Sequence, residues 1–254
     1  MKHLIIPDAQ AKPGNDFSFL SCIGRYAVKH KPDVIVCLGD FADMPSLSQY
    51  DVGKKSFEGR TYRADVEAAK EAMTKLMVPI LKEQVRIEAN RKKRWNPRLV
   101  LTLGNHEHRI SRAIDLDRKL DGLISVSDLE YSSYNWEVIP FLQPIIIDGV
   151  VYCHYITSGV MGRPITTARG LLTQRHQSVV VGHQQGRDVA YSKRADGKRL
   201  TSIICGSCYE HDENYLDAQS NNHWRGIIML NEVSDGEFDE MFVSLKYLKK
   251  NYDK

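Results

Sequence analysis

Apolar residues in the first half of this chain fall into short blocks, each closed by a turn residue or a carboxylate. Residues 3–6, 34–38 and 99–103 are near-continuous apolar runs with the length and β-branched content of strands buried on both faces. Between the first two, Phe17, Leu20, Ile23 and Ala27 recur at helical spacing, which predicts a helix over 17–30 with Asp16 as its N-cap and Pro32 as its stop. Val66, Ala69, Met73, Leu76, Ile80 and Leu81 predict a long helix over about 62–90, kinked or broken at Pro79. A further helix over about 108–120 places Ile110, Ala113, Ile114 and Leu120 on one side. Strand, helix and strand in succession argue for a partly parallel sheet covered by helices.

Beyond residue 135 the pattern changes to short β-like runs at 137–139, 144–148, 150–154, 178–182, 200–205, 225–231 and 238–245, interrupted by one helix near 165–176. Asp148-Gly149 and Asp235-Gly236 are hairpin signals. No Pro-, Gly- or Ser-rich linker and no internal repeat divides the chain. The expected architecture is α/β, a single domain spanning 1–254, with two sheets packed as a mixed β-sandwich and helices outside. A helical and irregular insertion is expected at about 44–98, walling whatever site the strand ends build.

Bulk numbers narrow the class. The 254 residues are 42% hydrophobic and 26% charged, ordinary for a globular protein with a sizeable core. The net charge of +3 comes from one segment, because Arg91, Lys92, Lys93, Arg94 and Arg98 exceed it alone. That segment reads most simply as a solvated connection from helix to strand. Its sharper reading, helped by the interleaved Trp95, is a contact for phosphate or nucleic acid. The five cysteines are an odd number, mostly inside apolar runs, which points to reduced thiols and a cytoplasmic setting. The N-terminus has no apolar core suited to a signal peptide, and no run approaches the length of a membrane span.

The chemistry-bearing residues sit just after the strands. Asp8 and Gln10 follow the first, Asp40 and Asp43 the second, and Asn105 and His106 the third, within Gly104-Asn105-His106-Glu107. His154 ends the run 150–153, and His183 and Gln185 follow 179–182. Strand ends are where α/β proteins place their sites. Carboxylates, amides and imidazoles gathered there suit a pair of divalent cations about 3.5–4 Å apart, which clamp a phosphate and activate water. Read without that company, His154 or Asp8 would be a structural histidine and a turn residue. Cys205-x-x-Cys208 lacks the second cysteine pair that a zinc site would need.

In this order the motifs Asp-x-Gln, Gly-Asp-x-x-Asp, Gly-Asn-His-Glu, His and Gly-His-x-Gln resemble the calcineurin-like metallophosphoesterases over residues 4–208. The resemblance implies a two-sheet β-sandwich flanked by helices and a phosphoester hydrolase that uses two metal ions and metal-activated water. It implies Asp40 as the carboxylate bridging both metals, Asp8 on the first metal, and Asn105, His154 and His183 on the second. It implies His106 as the group that contacts phosphate and protonates the leaving oxygen, oriented by Asp43. Arg109 and Arg163 are candidate phosphate contacts, although solvated surface arginine is the simpler reading of both.

The chain departs from the family pattern twice, and both departures fall on the first metal. Gln10 and Gln185 stand where the family usually has histidine. A site of Asp8, Gln10, Asp40 and Gln185 offers oxygen donors only, which favours Mn²⁺ or Mg²⁺ over Zn²⁺. Mn²⁺ is the expected metal, with Mg²⁺, Ni²⁺, Co²⁺, Fe²⁺ and Zn²⁺ as alternatives. A phosphodiesterase or phosphatase is expected, a nuclease is the alternative within the class, and a degenerate phosphate-binding protein is the alternative outside it. The expected partner is a phosphoester substrate, nucleic acid among the candidates, with no membrane.

Overall fold

The three apolar blocks of the first half form the parallel centre of a six-stranded sheet. The structure is a computed structural model and describes residues 1–212 and 221–253. β1 (His3–Ile6), β2 (Val34–Cys37), β3 (Arg98–Thr102) and β4 (Glu137–Ile139) run parallel in that spatial order. α1 (Ser18–His30) joins β1 to β2, and α2 (Tyr62–Ala89) joins β2 to β3. α3 (His108–Leu116) follows β3.

A second, five-stranded sheet is built from β5 (Ile145–Ile147), β6 (Val150–Cys153), β9 (Val179–Val181), β10 (Arg187–Lys193) and β11 (Arg199–Cys205). Inserted after β6 are a small hairpin, β7 (Thr157–Ser158) with β8 (Arg163–Pro164), and α4 (Ala168–Arg175). β12 (Gly226–Ser234) and β13 (Glu237–Ser244) return to the first sheet beside β1, and α5 (Leu245–Tyr252) packs beside α1.

Period-two alternation decides which residue fills which layer. Ile5, Val36, Leu38 and Val100 face Tyr152, Val180, Ile203 and Cys205 between the sheets. Their neighbours Leu4, Ile6, Ile35 and Leu101 point the other way, onto α1 and α2. Val151, Val179, Val181 and Ile204 cover Leu171 of α4. The result is helix, sheet, sheet, helix, the sandwich expected from the sequence.

The N-cap of the first helix is Phe17, one residue past the expected Asp16, whose carboxylate still accepts the Ser18 N–H of the first turn at 2.9 Å. Pro79 does not break α2. It removes the N–H that would bond Lys75 O, and the Ser21 hydroxyl of α1 donates to that oxygen instead, at 3.2 Å. Gly24 makes this approach possible, because a β-carbon there would collide with Leu76 O. Residues 44–98 contain this α2 crossover, so the part that departs from a plain β-α-β unit is the irregular stretch before Tyr62.

Both hairpin turns form as expected. Asp148 and Asp235 have φ of 49° and 50°, and the glycines after them 84° and 85°, the left-handed pair of a type I′ turn. The turns also dock on each other, with Gly236 N–H donating to Asp148 O at 2.8 Å. Nearby, the buried His3 ring lies 2.7 Å from Tyr152 Oη and 2.9 Å from Asp148 Oδ2. The two sheets are thus pinned together at the end where β1 begins.

Four of these elements escape the sequence pattern: the two-residue strands β7 and β8, then β10 and α5. β10 is an edge strand whose mostly exposed residues hide the alternation. α5 lies beyond the predicted run 238–245, which reaches only its first residue, although Leu245, Leu248 and Tyr252 have helical spacing and are buried.

The basic segment 91–98 lies where α2 ends and β3 begins, at the opposite end of the sheet from residues 104–109. Trp95 there is structural: its indole N–H donates to Pro32 O at 2.9 Å, and Lys31 Nζ sits 4.3 Å from its ring centre. Arg98 pairs with Glu137 at 2.7 Å. The solvated connection is what the structure shows.

Candidate metal centre

Parallel strands in both sheets end on the same side, and the residues after them meet there. From the six-stranded sheet come Asp8, Gln10, Asp40, Asp43, Asn105 and His106. From the five-stranded sheet come His154, His183 and Gln185. The loops between strand and helix are tight and strained. Gln10, Asp40 and His183 all have left-handed φ, of 43°, 46° and 68°. Such conformations cost about 1–3 kcal/mol each, and they cluster where structure holds functional groups in place.

Glu107 is the anchor of this geometry. Its carboxylate is fully buried and accepts the successive N–H groups of Asp40 (3.0 Å), Phe41 (2.7 Å) and Ala42 (2.9 Å). It also accepts Gly104 N–H at 2.9 Å and the Tyr131 hydroxyl at 3.3 Å. The first three form a backbone nest around an anion. One side chain thereby locks the loop after β2 to the loop after β3. Gly104 has to be glycine, since a β-carbon would strike Asp40 N and Oδ1. With that approach made, Asp40 Oδ1 accepts His106 N–H at 2.9 Å.

Asp40, His154 and His183 bring one potential ligand atom each to within 4.8 Å of one another. His154 Nδ1 lies 2.7 Å from Leu38 O, so this nitrogen is the donor and Nε2 points to the cluster. Nε2 is 3.3 Å from Asp40 Oδ2 and 3.0 Å from Asn105 Oδ1. Burial disfavours charge on His154, but the Asp40 carboxylate outweighs it and carries the pKa to about 9. A proton on Nε2 thus stands between two oxygens and an imidazole, the place a cation would take. His183 shifts oppositely, to about 4, because it is buried and faces the positive His154. Asp40 is held well below the carboxylate range despite burial, by His106 and His154.

The glutamine-bearing half is arranged differently. Asp8 is fully buried, and burial pushes its pKa up to about 7 against the pull of His154. Its Oδ1 accepts His183 N–H at 3.1 Å, while Oδ2 has no hydrogen-bond partner among the described residues. Gln10 is held beside Asp40 through its own N–H to Asp40 O at 2.8 Å, and its buried side-chain amide has no partner at either end among the described residues. Buried polar groups without partners call for an explanation. Asp8 Oδ2 and Gln10 Oε1 fit a hard cation that prefers oxygen. Gln185 is part-buried, and its Oε1 already accepts the Tyr209 hydroxyl at 2.7 Å.

Next to this cluster, His106 Nδ1 lies 2.7 Å from Asp43 Oδ1, and His106 Nε2 is 3.7 Å from Asp40 Oδ2. Burial opposes a charged ring, yet Asp40 and Asp43 raise its pKa above the ordinary value. Asp43 is lowered in turn, by His106, Arg109 and Lys12 acting against its burial. Arg109 is half-buried and in the site: Nη1 donates to Asp43 O at 2.8 Å, and Nη2 is 3.1 Å from His106 Nε2. Arg163 stands exposed on the β7–β8 hairpin, outside this hydrogen-bonded cluster. Glu107 received no role from the sequence. Its place in the Gly-Asn-His-Glu motif does not reveal this role, because its partners are mostly backbone N–H groups.

A pair of strand-end loops locked by a buried carboxylate, carboxylates and imidazoles converging from two sheets, and a carboxylate-paired histidine beside them define a metal-dependent phosphoesterase. The chain belongs to the calcineurin-like phosphoesterase family, whose model matches residues 1–224, and it is a phosphoester hydrolase. Among solved structures, a phosphoesterase from E. coli, Yfce, aligns with 96% of this chain and 100% of its own at 11% identity and a TM-score of 0.39. A conserved protein from Streptococcus pneumoniae TIGR4, described as a predicted phosphoesterase, aligns with 96% of this chain and 90% of its own at 10% identity and a TM-score of 0.39. No curated protein matches the sequence. Among the described residues, no helix is long and apolar enough to cross a membrane.

Proposed function

We propose that this protein hydrolyses phosphodiesters at a two-metal centre of unequal halves, with Mn²⁺ as the preferred ion. The observation that carries this reading is the meeting of Asp40, His154 and His183 beside the His106–Asp43 pair. Asp40, Asn105, His154 and His183 would hold one cation. Asp8, Gln10 and Asp40, with Gln185 at the margin, would hold the other through oxygen. When bound, such cations supply the Lewis-acid charge that activates water and offsets the charge on the phosphoryl oxygens.

The chain's own residues do the rest. Asp43 fixes the His106 ring through Nδ1, and Nε2, which at rest accepts from Arg109 Nη2, acts as a donor once it is protonated and bound substrate takes the place of that contact. A water oxygen forms the new bond to phosphorus as the bond to the leaving oxygen breaks, and His106 Nε2 gives that oxygen its proton. A diester needs this donor more than an activated aryl ester does, because its alkoxide is a poor leaving group. The buried free thiols Cys22, Cys37, Cys153, Cys205 and Cys208 support a reducing, cytoplasmic setting.

The test is turnover of bis(p-nitrophenyl) phosphate and p-nitrophenyl phosphate by protein loaded with Mn²⁺, Mg²⁺, Co²⁺, Ni²⁺ or Zn²⁺. The expected result is a faster diester reaction in Mn²⁺. On an alkyl diester such as TpT, His106→Ala should lower turnover by roughly 10²–10⁴-fold while retaining its metal, with a smaller loss on the p-nitrophenyl esters. No turnover of either ester with any of the five ions would overturn the reading and favour a phosphate-binding protein without catalysis.

A further inference from the structure

His106, Arg109 and Arg112 follow one another at three-residue spacing, from the turn before α3 into the helix. Residues so spaced are neighbours on a helix surface. The row begins at the metal cluster and leads away from it. His106 Nε2 touches Arg109 Nη2 at 3.1 Å. Beyond Arg109 lies a shallow cleft of about 40 Å³, lined by Arg109, Arg112 and Ala113 on the α3 side and by Leu47, Gln49 and Tyr50 on the other, so that a ligand would lie across its mouth.

The chemistry of this cleft is specific. Arg112 Nη2 donates to Gln49 Oε1 at 3.0 Å, a neutral partner, and among the described residues no carboxylate pairs with this guanidinium. Arg109 is committed to Asp43 at its Nη1 edge, and its Nη2 edge faces His106 and the cleft. The Tyr50 ring is 80% exposed, so its face is free. Two guanidiniums beside an open aromatic ring match a phosphate attached to a planar or sugar-bearing group.

The direction of the reaction gives the cleft its meaning. The oxygen that takes the Nε2 proton is the leaving oxygen, so the body of the leaving group lies on the Arg109 side of His106. Resting on the phosphodiesterase reading above, we infer that the cleft is a leaving-group subsite, and that the substrate is a phosphodiester whose leaving group carries a second phosphate. Arg112 holds that phosphate, with Arg109 beside it and Tyr50 against the intervening nucleoside or sugar. Arg112 is a specificity-determining residue, since it meets the substrate away from the bond that breaks.

The experiment compares the dinucleotide TpT with its two phosphorylated forms, pTpT and TpTp, in Mn²⁺. One of the latter has its extra phosphate on the leaving nucleoside, whichever oxygen departs. That form is expected to exceed TpT in kcat/KM by roughly 10–100-fold, the worth of a charge-assisted hydrogen bond to phosphate. Arg112→Ala should erase most of this ratio, Arg112→Glu should invert it, and Arg112→Lys should restore part of it. A merely structural role for Arg112 would lower all three dinucleotides alike and leave the ratio intact. Equal rates on all three in the wild type, or a ratio unmoved in Arg112→Glu, would overturn the inference. In either case, turnover of bis(p-nitrophenyl) phosphate would leave the phosphodiesterase reading standing. Loss of every diester activity would remove both. A phosphorylated tetranucleotide separates the two sources of the second phosphate: a gain over pTpT or TpTp indicates a nucleic-acid strand, and no gain a small bisphosphorylated substrate.

Discussion

Replacing Glu107 should damage stability and metal binding together. In Glu107→Ala, four buried backbone N–H groups lose their acceptor: those of Asp40, Phe41, Ala42 and Gly104. A buried donor left unsatisfied costs roughly 1–3 kcal/mol. Water entering the vacated volume would recover part of this, so a net loss on the order of 3–5 kcal/mol is expected. Glu107→Gln is the sharper probe, because it keeps the shape. Oε1 accepts Phe41 and Ala42 while Oε2 accepts Asp40 and Gly104, so an amide nitrogen at either end confronts two N–H donors. The expected loss is about half that of alanine. The assay is urea unfolding of wild type and both variants, with m-values compared so that a change in midpoint reads as stability. In parallel, calorimetric Mn²⁺ titration should show affinity reduced by roughly 10–100-fold, since Glu107 supports the loop that carries Asp40. A Glu107→Gln midpoint within error of wild type would refute the clamp. So would a destabilised variant that binds Mn²⁺ normally, because the anchor would then have no bearing on Asp40.

Three further outcomes follow from other parts of the structure. Gln10→His combined with Gln185→His should raise Zn²⁺ retained after dialysis toward two ions per chain, as nitrogen replaces oxygen in the donor set; elemental analysis showing unchanged zinc would place these glutamines outside the metal sphere. His3 should make the protein acid-sensitive: burial lowers its pKa below the ordinary 6.5 despite Asp148, so the unfolded chain takes up the proton first. Stability should therefore be complete above about pH 6.5 and decline as pH falls toward the folded value, and His3→Gln should flatten that decline in urea midpoints measured from pH 7.5 to 5. Ser21→Ala should cost about 1 kcal/mol by orphaning Lys75 O across from Pro79, and an unchanged midpoint would show that water serves equally well there.

How far the sequence could be read depended on whether the local pattern survived the tertiary context. Blocks such as Val34–Cys37 and Val179–Val181 are buried on both faces, so composition alone marks them, and the residues just past them locate the meeting point of the strand ends. The type I′ turns are equally plain, because only a few residue pairs tolerate two left-handed positions in succession. β10 was hidden because an edge strand owes its place to backbone pairing with β11 rather than to its side chains. The basic segment proved to be the solvated connection that its composition most simply suggested, and only its sharper reading as a phosphate contact failed. Charge density along the chain says nothing about which end of the sheet it occupies, and that follows from the direction of β3. The clamp at Glu107 was not legible, since its partners are backbone N–H groups that every sequence possesses. Likewise the row His106, Arg109 and Arg112 became visible only when the loop holding Gln49 and Tyr50 closed the cleft opposite.

The division of the candidate ligands between the two sheets has a mechanical consequence. The sheets are pinned by the docked hairpin turns at the end where β1 begins. At the other end, Asp40 and Asn105 belong to one sheet while His154 and His183 belong to the other. A cation held among them would close the sandwich like the clasp of a book whose spine is the pair of turns. Affinity for metal and resistance to unfolding then become one thermodynamic quantity, measured from two sides. A chelator should lower the melting temperature, and a mutation far off at the spine, such as a residue inserted at Gly149, should loosen the grip on metal without touching a single ligand.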